Sequence, residues 1–199
     1  MIKAPELVFV AGCNAAGKSS FIRTRLNELA DFEILMTDVY KGRTKELFFN
    51  ALNSGKNIVL ETVFNDESFK DLVDSANNAG YKTSLIALFL DNPDQSFKRS
   101  MLRNLDQQGL NISKGNIKLN FNESFKNITK YYLYFDWSDF IYTGNASQNF
   151  NVMTFNKSKL IRYQRNDLSF IRKFAEYGYK TERVNQEAFN IIIKNDDYQ

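Results

Sequence analysis

A chain of 199 residues is long enough for one domain with a sizeable core, and it contains no histidine and one cysteine. These counts exclude histidine-based zinc sites, Ser-His-Asp triads, imidazole bases and internal disulfides, so proton transfer near neutral pH falls chiefly to Asp or Glu. The net charge of +3 is too small to indicate nucleic-acid binding by itself.

The cysteine content and the apolar runs predict a cytoplasmic protein. A single cysteine is typical of a reducing compartment. The only apolar run near the N-terminus has the length of a strand, so no signal peptide is expected. The longest later run, residues 85–90, is too short to span a bilayer.

The first predicted element is a buried strand at residues 7–11 (LVFVA), whose unbroken apolar run is typical of a parallel sheet. Residues 12–19 (GCNAAGKS) follow it and match the phosphate-binding pattern G-x-x-x-x-G-K-[ST] in full. Apolar side chains then recur at helical spacing and predict a helix that continues through Leu29. A strand, a glycine loop and a helix in this order indicate a nucleotide-binding loop.

Each residue type in the loop has a physical purpose. Gly12 and Gly17 allow backbone conformations in which successive N–H groups converge on phosphate oxygens. Lys18 brings a positive charge to the terminal phosphates, and Ser19 offers a hydroxyl to Mg²⁺. Cys13 is interpreted as a small residue without a reactive role. The predicted ATP contacts are Gly12, Asn14, Ala15, Ala16, Gly17, Lys18, Ser19 and Ser20.

Strands and helices alternate after the loop. Further strands are predicted at residues 32–36, 58–60, 83–90 and 140–142, and the two helices between the first three of these end near Gly55 and Gly80. This alternation predicts a three-layer α/β fold with a mainly parallel sheet and helices on both faces. Lys18, Asp38, Glu61 and Asp91 follow or end strands, so we expect them at one edge of the sheet. Asp91 is interpreted as structural, since a turn follows it.

Residues 93–135 differ in character, because basic side chains outnumber acidic ones there. Arg99 and Arg103 are four residues apart on one side of a predicted helix, nearly opposite an apolar stripe of Phe97, Met101 and Leu105. Two interpretations stay open. The arginines belong to an ordinary solvated surface, or to a lid whose cations close over phosphate groups.

The C-terminal part carries weaker signals. Residues 152–155 and 160–163 predict a hairpin, and two helices are expected, one with Phe170 and Tyr177 and one starting near Glu187. We therefore divide the chain into a nucleotide-binding core at 1–145, which includes the lid, and a small extension at 146–199 packed on that core.

Four segments together carry a resemblance to a known family. VFVAGCNAAGKSS, MTD, VLET and GYKTSLIALFLDNPDQSFKRSMLRN, in this order, resemble the zeta-toxin-like P-loop kinases over residues 5–145. The resemblance implies ATP-dependent phosphorylation of a hydroxyl group on a small molecule, with nucleotide sugars such as UDP-N-acetylglucosamine as best-known acceptors. It also implies an antitoxin protein as a partner to look for.

The resemblance also implies a role for individual residues. Lys18 and Ser19 hold ATP and Mg²⁺, Asp38 is the candidate base, and Glu61 and Thr62 line the acceptor pocket. Arg99 and Arg103 act from the lid and, with Lys18 and Asp38, are the catalytic candidates. The chain departs from the family at 108–110 (QGL), where Gly-Gly-His is usual, and at Asn120 and Glu123, which lie where the family carries arginines. Because these family cations near the phosphates are missing, the resemblance does not specify the acceptor molecule.

Alternatives stay open for Asp38 and for the function. Asp38 is a base, holds Mg²⁺ through water, or caps the following helix. A second alternative is a transporter-type ATPase, although the Ser-Gly-Gly signature of that class is absent from this sequence. A third is an ATP-binding module with little catalysis. A nucleic-acid 5′-end kinase would need aromatic residues that stack bases. The candidates, which we instead expect in the core, are Tyr131, Tyr132, Tyr134 and Phe135.

Overall fold

A computed structural model describes residues 3–107, 112–144 and 149–199, and of residues 104–107 the backbone alone. The strands are β1 Glu6–Ala11, β2 Phe32–Met36, β3 Asn57–Thr62, β4 Lys82–Phe89, β5 Trp137–Tyr142, β6 Phe150–Asn156 and β7 Lys159–Tyr163. The α-helices are α1 Lys18–Arg23, α2 Thr37–Tyr40, α3 Thr44–Asn53, α4 Lys70–Asn78, α5 Pro93–Gln107, α6 Lys114–Tyr131, α7 Ser169–Lys180 and α8 Gln186–Lys194. Short 3₁₀ turns lie at Lys41–Arg43, Glu67–Phe69 and Tyr132–Tyr134.

The seven strands form one sheet in the order β2-β3-β1-β4-β5-β6-β7. The first five of these pair in parallel, and β6 and β7 are antiparallel to their neighbours. The predicted α/β fold with a mainly parallel sheet is therefore confirmed. Since β1 lies between β3 and β4, the loop that follows it opens at the middle of the carboxyl edge.

The core explains why the central strands are apolar along their length. Leu7, Phe9 and Leu60 are fully buried, and the ring of Phe9 packs against the rings of Phe64 and Phe135. Parallel strands covered on both faces need apolar side chains at successive positions. In the described part of the chain no helix is long and apolar enough to cross a membrane.

The helix that follows the phosphate-binding loop is shorter than predicted. The expectation that it continues through Leu29 is wrong, because α1 ends at Arg23 and residues 24–31 form turns. In a continuing helix the Phe21 carbonyl would accept from the Arg25 N–H, but it accepts from Thr24 Oγ1 at 3.0 Å and Arg25 Nη1 at 3.3 Å. Leu26 is half exposed, so its apolar spacing marks no buried face.

The predicted C-terminal hairpin is confirmed as β6 and β7, and it extends the central sheet through β5. The two last predicted helices are α7 and α8. Tyr132, Phe140, Phe155 and Phe174 pack together where the hairpin and α7 meet the core. The division at residue 145 stays a prediction, and residues 145–148 lie outside the described part of the chain.

Asp91 has a structural position, as predicted. Its Oδ1 accepts hydrogen bonds from the Phe170 N–H at 2.8 Å and from Ser169 Oγ at 3.1 Å. These donors are at the start of α7, so Asp91 caps a helix that lies far ahead in the sequence. It thereby attaches the C-terminal part to the end of β4.

Helix α5 turns a polar side toward the loop after β1. Ser96 is fully buried, whereas Met101 in the predicted apolar stripe is half exposed and Phe97 lies under the ammonium group of Lys114. The Leu105 side chain and residues 108–110 lie outside the described part. The apolar stripe is therefore not the buried face of this helix over its first turns.

Candidate active site

The loop between β1 and α1 (residues 12–17) requires its two glycines. A Cβ atom on Gly12 would lie 2.1 Å from the Leu88 carbonyl oxygen of β4, a distance that no side chain can adopt. Gly17 has φ +88° directly before α1, in the left-handed region that glycine favours. The loop can thus lie tightly against β4 and turn sharply into the helix.

The carbonyl groups of residues 12–16 all accept hydrogen bonds from side chains, and the Gly17 carbonyl accepts from the Phe21 N–H of α1. Lys18 Nζ donates to the Gly12 and Cys13 carbonyls at 3.0 and 3.3 Å. Ser96 Oγ donates to Asn14 O at 2.7 Å, Arg99 Nη1 to Ala15 O at 3.4 Å, and Thr143 Oγ1 to Ala16 O at 2.9 Å. Because these acceptors are occupied, the backbone groups that the loop still offers a ligand are N–H donors, which suit phosphate oxygens.

Lys18 and Ser19 meet an acidic residue of the neighbouring strand. Glu61 lies near the end of β3, is only 4% exposed, and accepts from Ser19 Oγ at 3.3 Å with either carboxylate oxygen. Lys18 Nζ is 3.9 Å from Glu61 Oε1. The parallel pairing of β1 with β3 brings Glu61 beside the loop, since Val10 is in register with it.

A cleft opens above these three residues. Asp38 of α2, Arg103 and Ser100 of α5, Arg23 of α1 and Ile112 complete its wall. From the loop and the start of α1 it is lined by Asn14, Ala15, Gly17, Lys18, Ser19 and Ser20. Cations and carboxylates of different elements therefore face one another across one small space.

Comparison with solved structures identifies the fold around this cleft. A chain of the PezAT chromosomal toxin-antitoxin system of Streptococcus pneumoniae matches with a TM-score of 0.58 at 15% identity, covering 74% of this chain and 72% of that chain. A chain of the AvrRxo1-ORF1:AvrRxo1-ORF2 complex with ATP gives 0.60 at 14% identity, covering 92% and 64%. The chain has the fold of the zeta-toxin-like P-loop kinases.

A third structure, a chain of the Pnkp1/Rnl/Hen1 RNA repair complex, matches with a TM-score of 0.55 at 17% identity over 65% of this chain and 47% of that one. This chain thus spans less than two thirds of the AvrRxo1 and RNA repair chains. No protein-family model and no curated protein matches it.

Most of the predicted site residues lie in or directly under the cleft. Gly12 and Ala16 are buried within the loop, and the other predicted ATP contacts line the cleft together with Asp38, Glu61 and Arg103. Their roles stay predictions. Cys13 is buried, and burial raises the pKa of its thiol to about 11, which agrees with a structural interpretation.

Besides Gly12 and Ala16, two further predicted residues do not line the cleft. Thr62 is buried, and its hydroxyl accepts from the Phe64 N–H at 3.0 Å, so it serves the turn after β3. Arg99 reaches the Ala15 carbonyl behind the loop, while Arg103, one helical turn later, faces the cleft. Both arginines lie on α5, as predicted, but only Arg103 lines the cleft.

Asp38 is exposed and lies in the first turn of α2. Residue Met36 precedes this helix without a side-chain cap, and within the described residues no hydrogen bond reaches the Asp38 carboxylate. The carboxylate is close enough to Glu61 to raise the pKa of that residue. Among the described residues, Asp38 therefore makes no hydrogen bond that would support a capping role, and its side chain lines the cleft.

Several residues of the site carry no motif that the sequence reveals. Ser96, Thr143 and Asn120 contact the loop from 82, 127 and 106 residues away in the chain. Arg23 lines the cleft one turn after Ser19, and its Nε donates to the Ser19 carbonyl at 3.4 Å. Of these residues, only Arg23 could have been predicted from the local sequence, because its spacing of four residues from Ser19 puts both on the same side of α1.

Three of the aromatic residues considered as a base-stacking surface lie in the core, and the fourth, Tyr134, is partly buried against it. Tyr131, Tyr132 and Phe135 are at most 3% exposed, and Tyr132 Oη donates to the Arg183 carbonyl. The expectation that these rings are packing residues is confirmed. The nucleic-acid alternative therefore loses the surface on which it depended.

The ionisation of Glu61 leads to a first prediction. Burial raises the pKa of its carboxyl, more than the ammonium of Lys18 and the hydroxyl of Ser19 lower it. The folded protein then binds this proton more tightly than the unfolded chain, so the stabilisation is complete below the ordinary Glu pKa and is lost as pH rises through the raised value. In metal-free, nucleotide-free protein, Glu61→Gln should remove this loss.

Urea unfolding of the wild type and Glu61→Gln over a pH series measures the difference. The variant should gain unfolding free energy relative to the wild type as pH rises from about 4.5, the ordinary value, toward neutrality. Glu187→Gln, at the exposed start of α8, is the matched control. A difference between Glu61→Gln and wild type that does not change with pH would contradict the prediction.

Proposed function

We propose that this protein is an ATP-dependent kinase that transfers the γ-phosphate of ATP to a hydroxyl group of a small molecule. The observation that carries the proposal is the contact of Lys18 and Ser19 with buried Glu61, in a cleft shared with Asp38 and Arg103. Phosphoryl transfer depends on positioning and charge stabilisation, and this cleft holds the required donors, cations and acids.

The oxygen groups of the cleft fit a magnesium ion. Ser19 and Glu61 offer hard oxygen ligands within hydrogen-bond distance of each other, and Asp38 adds a second carboxylate at the cleft. The described ranges contain no group of three or more acidic, Cys or His side chains for a metal, but Mg²⁺ commonly uses one or two carboxylates with phosphates and water. When bound, it would neutralise charge on the phosphate chain.

The protein groups divide the remaining work. The N–H donors of the loop and Lys18 bind and orient the phosphate chain. Asp38 faces the cleft from α2 and accepts the proton of the acceptor hydroxyl or orients that hydroxyl for attack. Arg103 approaches from α5 and stabilises the charge that spreads over the transferred group.

The role of Arg103 leads to a prediction. Arg103→Ala should lower turnover by about tenfold, less than a buried donor would cost because Arg103 is exposed to water, and should leave thermal stability unchanged. Steady-state kinetics measure it, with Arg172→Ala on the exposed face of α7 as the control. Equal turnover of both variants would remove Arg103 from the reaction.

The acceptor that we propose is a nucleotide sugar such as UDP-N-acetylglucosamine. Arg23 and Arg103 both line the cleft and suit an acceptor with phosphate groups of its own. The match to a chain of the PezAT toxin-antitoxin system supports an antitoxin protein as a partner. A cytoplasmic location, in which such sugars are available, completes the proposal.

ATP consumption against a panel of nucleotide sugars, free sugars and nucleotides, with mass detection of products, tests this function. We expect a product heavier by one phosphoryl group with at least one nucleotide sugar. ATP hydrolysis without any phosphorylated product would indicate an ATPase instead. Phosphorylation of a single-stranded RNA or DNA 5′ end, included in the panel, would assign the acceptor class to nucleic acid.

A further inference from the structure

Three asparagine side chains connect the phosphate-binding loop to the rest of the protein. Asn120 of α6 donates its Nδ2–H to Asn14 Oδ1 in the loop at 2.8 Å. Asn65, in the segment after β3, donates its own Nδ2–H to Asn120 Oδ1 at 2.7 Å. The three residues are far apart in sequence, so only the folded chain brings their amides together.

The middle residue of this chain of amides belongs to a firmly anchored helix. Seven residues after Asn120, on the same side of α6, Asn127 is 6% exposed and donates to the Phe64 carbonyl at 2.9 Å. Phe64 has φ +56°, and its N–H donates to Thr62 Oγ1 at 3.0 Å. The segment after β3 is therefore held at both Phe64 and Asn65 by α6.

The two hydrogen bonds run in one direction and give the Asn14 amide a defined orientation. An asparagine side chain has one carbonyl oxygen that accepts and one NH₂ group that donates. Since Asn65 donates to Asn120, the Asn120 NH₂ donates in turn, and the Asn14 carbonyl oxygen accepts. The group of Asn14 that remains for a ligand in the cleft is its NH₂.

We propose that Asn120 is a positioning residue that holds the Asn14 NH₂ toward the terminal phosphates of ATP. Asn14 directly follows the two loop residues whose carbonyls Lys18 Nζ contacts, and it lines the same cleft as this proposed phosphate-binding lysine. With the amide reversed, a carbonyl oxygen would face phosphate oxygens and repel them. The inference rests on the proposed function, because it assigns a role within ATP binding.

Substitution of Asn120 tests the role. Asn120→Ala removes the constraint on Asn14 and should weaken ATP binding roughly fivefold, as expected for one neutral hydrogen bond. Asn120→Asp should weaken it roughly tenfold or more, because a carboxylate only accepts and would turn the Asn14 amide round. Isothermal titration with MgATP gives both affinities, and thermal melts show that the variants are folded.

Controls separate this role from added charge and from a general loss of structure. Asn122→Ala and Asn122→Asp make the same changes at an exposed position of α6 and should bind ATP as the wild type does. In an Asn14→Ala background, Asn120→Ala should cause no further loss, because Asn120 acts through Asn14. A structural role would give an additional loss in that background.

The outcomes are distinct. Weaker binding by the Asn120 variants that disappears in the Asn14→Ala background supports the inference. Wild-type affinity in Asn120→Ala, or an equal loss with and without Asn14, overturns it and leaves the kinase proposal intact. A wild-type protein that does not bind MgATP overturns both.

Discussion

Replacement of Lys18 by alanine is expected to abolish measurable ATP binding, and any phosphoryl transfer with it, while the fold persists. Lys18 Nζ contacts the Gly12 and Cys13 carbonyls and lies beside Glu61, so its removal leaves that buried carboxylate without its ion-pair partner at the phosphate site. We expect affinity to fall by roughly a hundredfold or more, because a charged donor is lost from a nearly buried position. Titration with ATP and circular dichroism on one preparation measure both effects.

Lys180→Ala, at the exposed end of α7, is the matched control for loss of a lysine. It should bind ATP like the wild type. If a folded Lys18→Ala protein bound ATP with unchanged affinity, the loop would not be the nucleotide site and the kinase proposal would be wrong.

Asp38→Asn is expected to retain ATP binding and to lose roughly a hundredfold or more in turnover. The substitution keeps the size of the side chain and removes its ability to take a proton. Because the described residues give the Asp38 carboxylate no hydrogen bond, the change should cost little stability beyond the interaction of an acid with the first turn of α2.

Asp71→Asn is the control, since Asp71 is also an exposed acid in the first turn of a helix, α4. Kinetics and thermal melts on the same preparations distinguish the alternatives for Asp38. A role in the helix alone would lower the melting temperature with turnover nearly intact. Normal turnover would exclude Asp38 from the reaction, and Glu61 would become the candidate base.

The sequence predicts the elements of this fold well where one local pattern is sufficient. β1, β2, α3 and α4 lie where their apolar spacing and their terminal glycines indicate. Helix α1 fails this rule, because Thr24 and Arg25 side chains satisfy the Phe21 carbonyl and release the chain into turns. Helical spacing of Leu26 and Leu29 could not reveal this competition between side chain and backbone.

The candidate site is predictable in part for the same reason. Residues 12–19 are recognisable because neighbours in sequence form the loop, and Glu61 and Asp38 because strand ends of a parallel sheet share an edge. Thr62 is the last residue of the same strand, but its hydroxyl accepts from the Phe64 N–H in the turn that follows. Ser96, Thr143 and Asn120 follow no spacing rule, since the packing of distant elements alone brings them to the loop.

The side chains that hold the loop carbonyls also bear on how the site forms during synthesis. A growing chain contains the whole motif once Ser19 is made, and β3 with Glu61 soon follows. Ser96 and Asn120 come much later, and the Ala16 carbonyl finds Thr143 only after β5 has been added. A ribosome-bound fragment that ends before residue 137, the first of β5, would therefore carry the signature of a nucleotide-binding protein without its affinity. ATP affinity measured on a series of stalled fragments of increasing length would show at which length the contacts that hold the loop are complete.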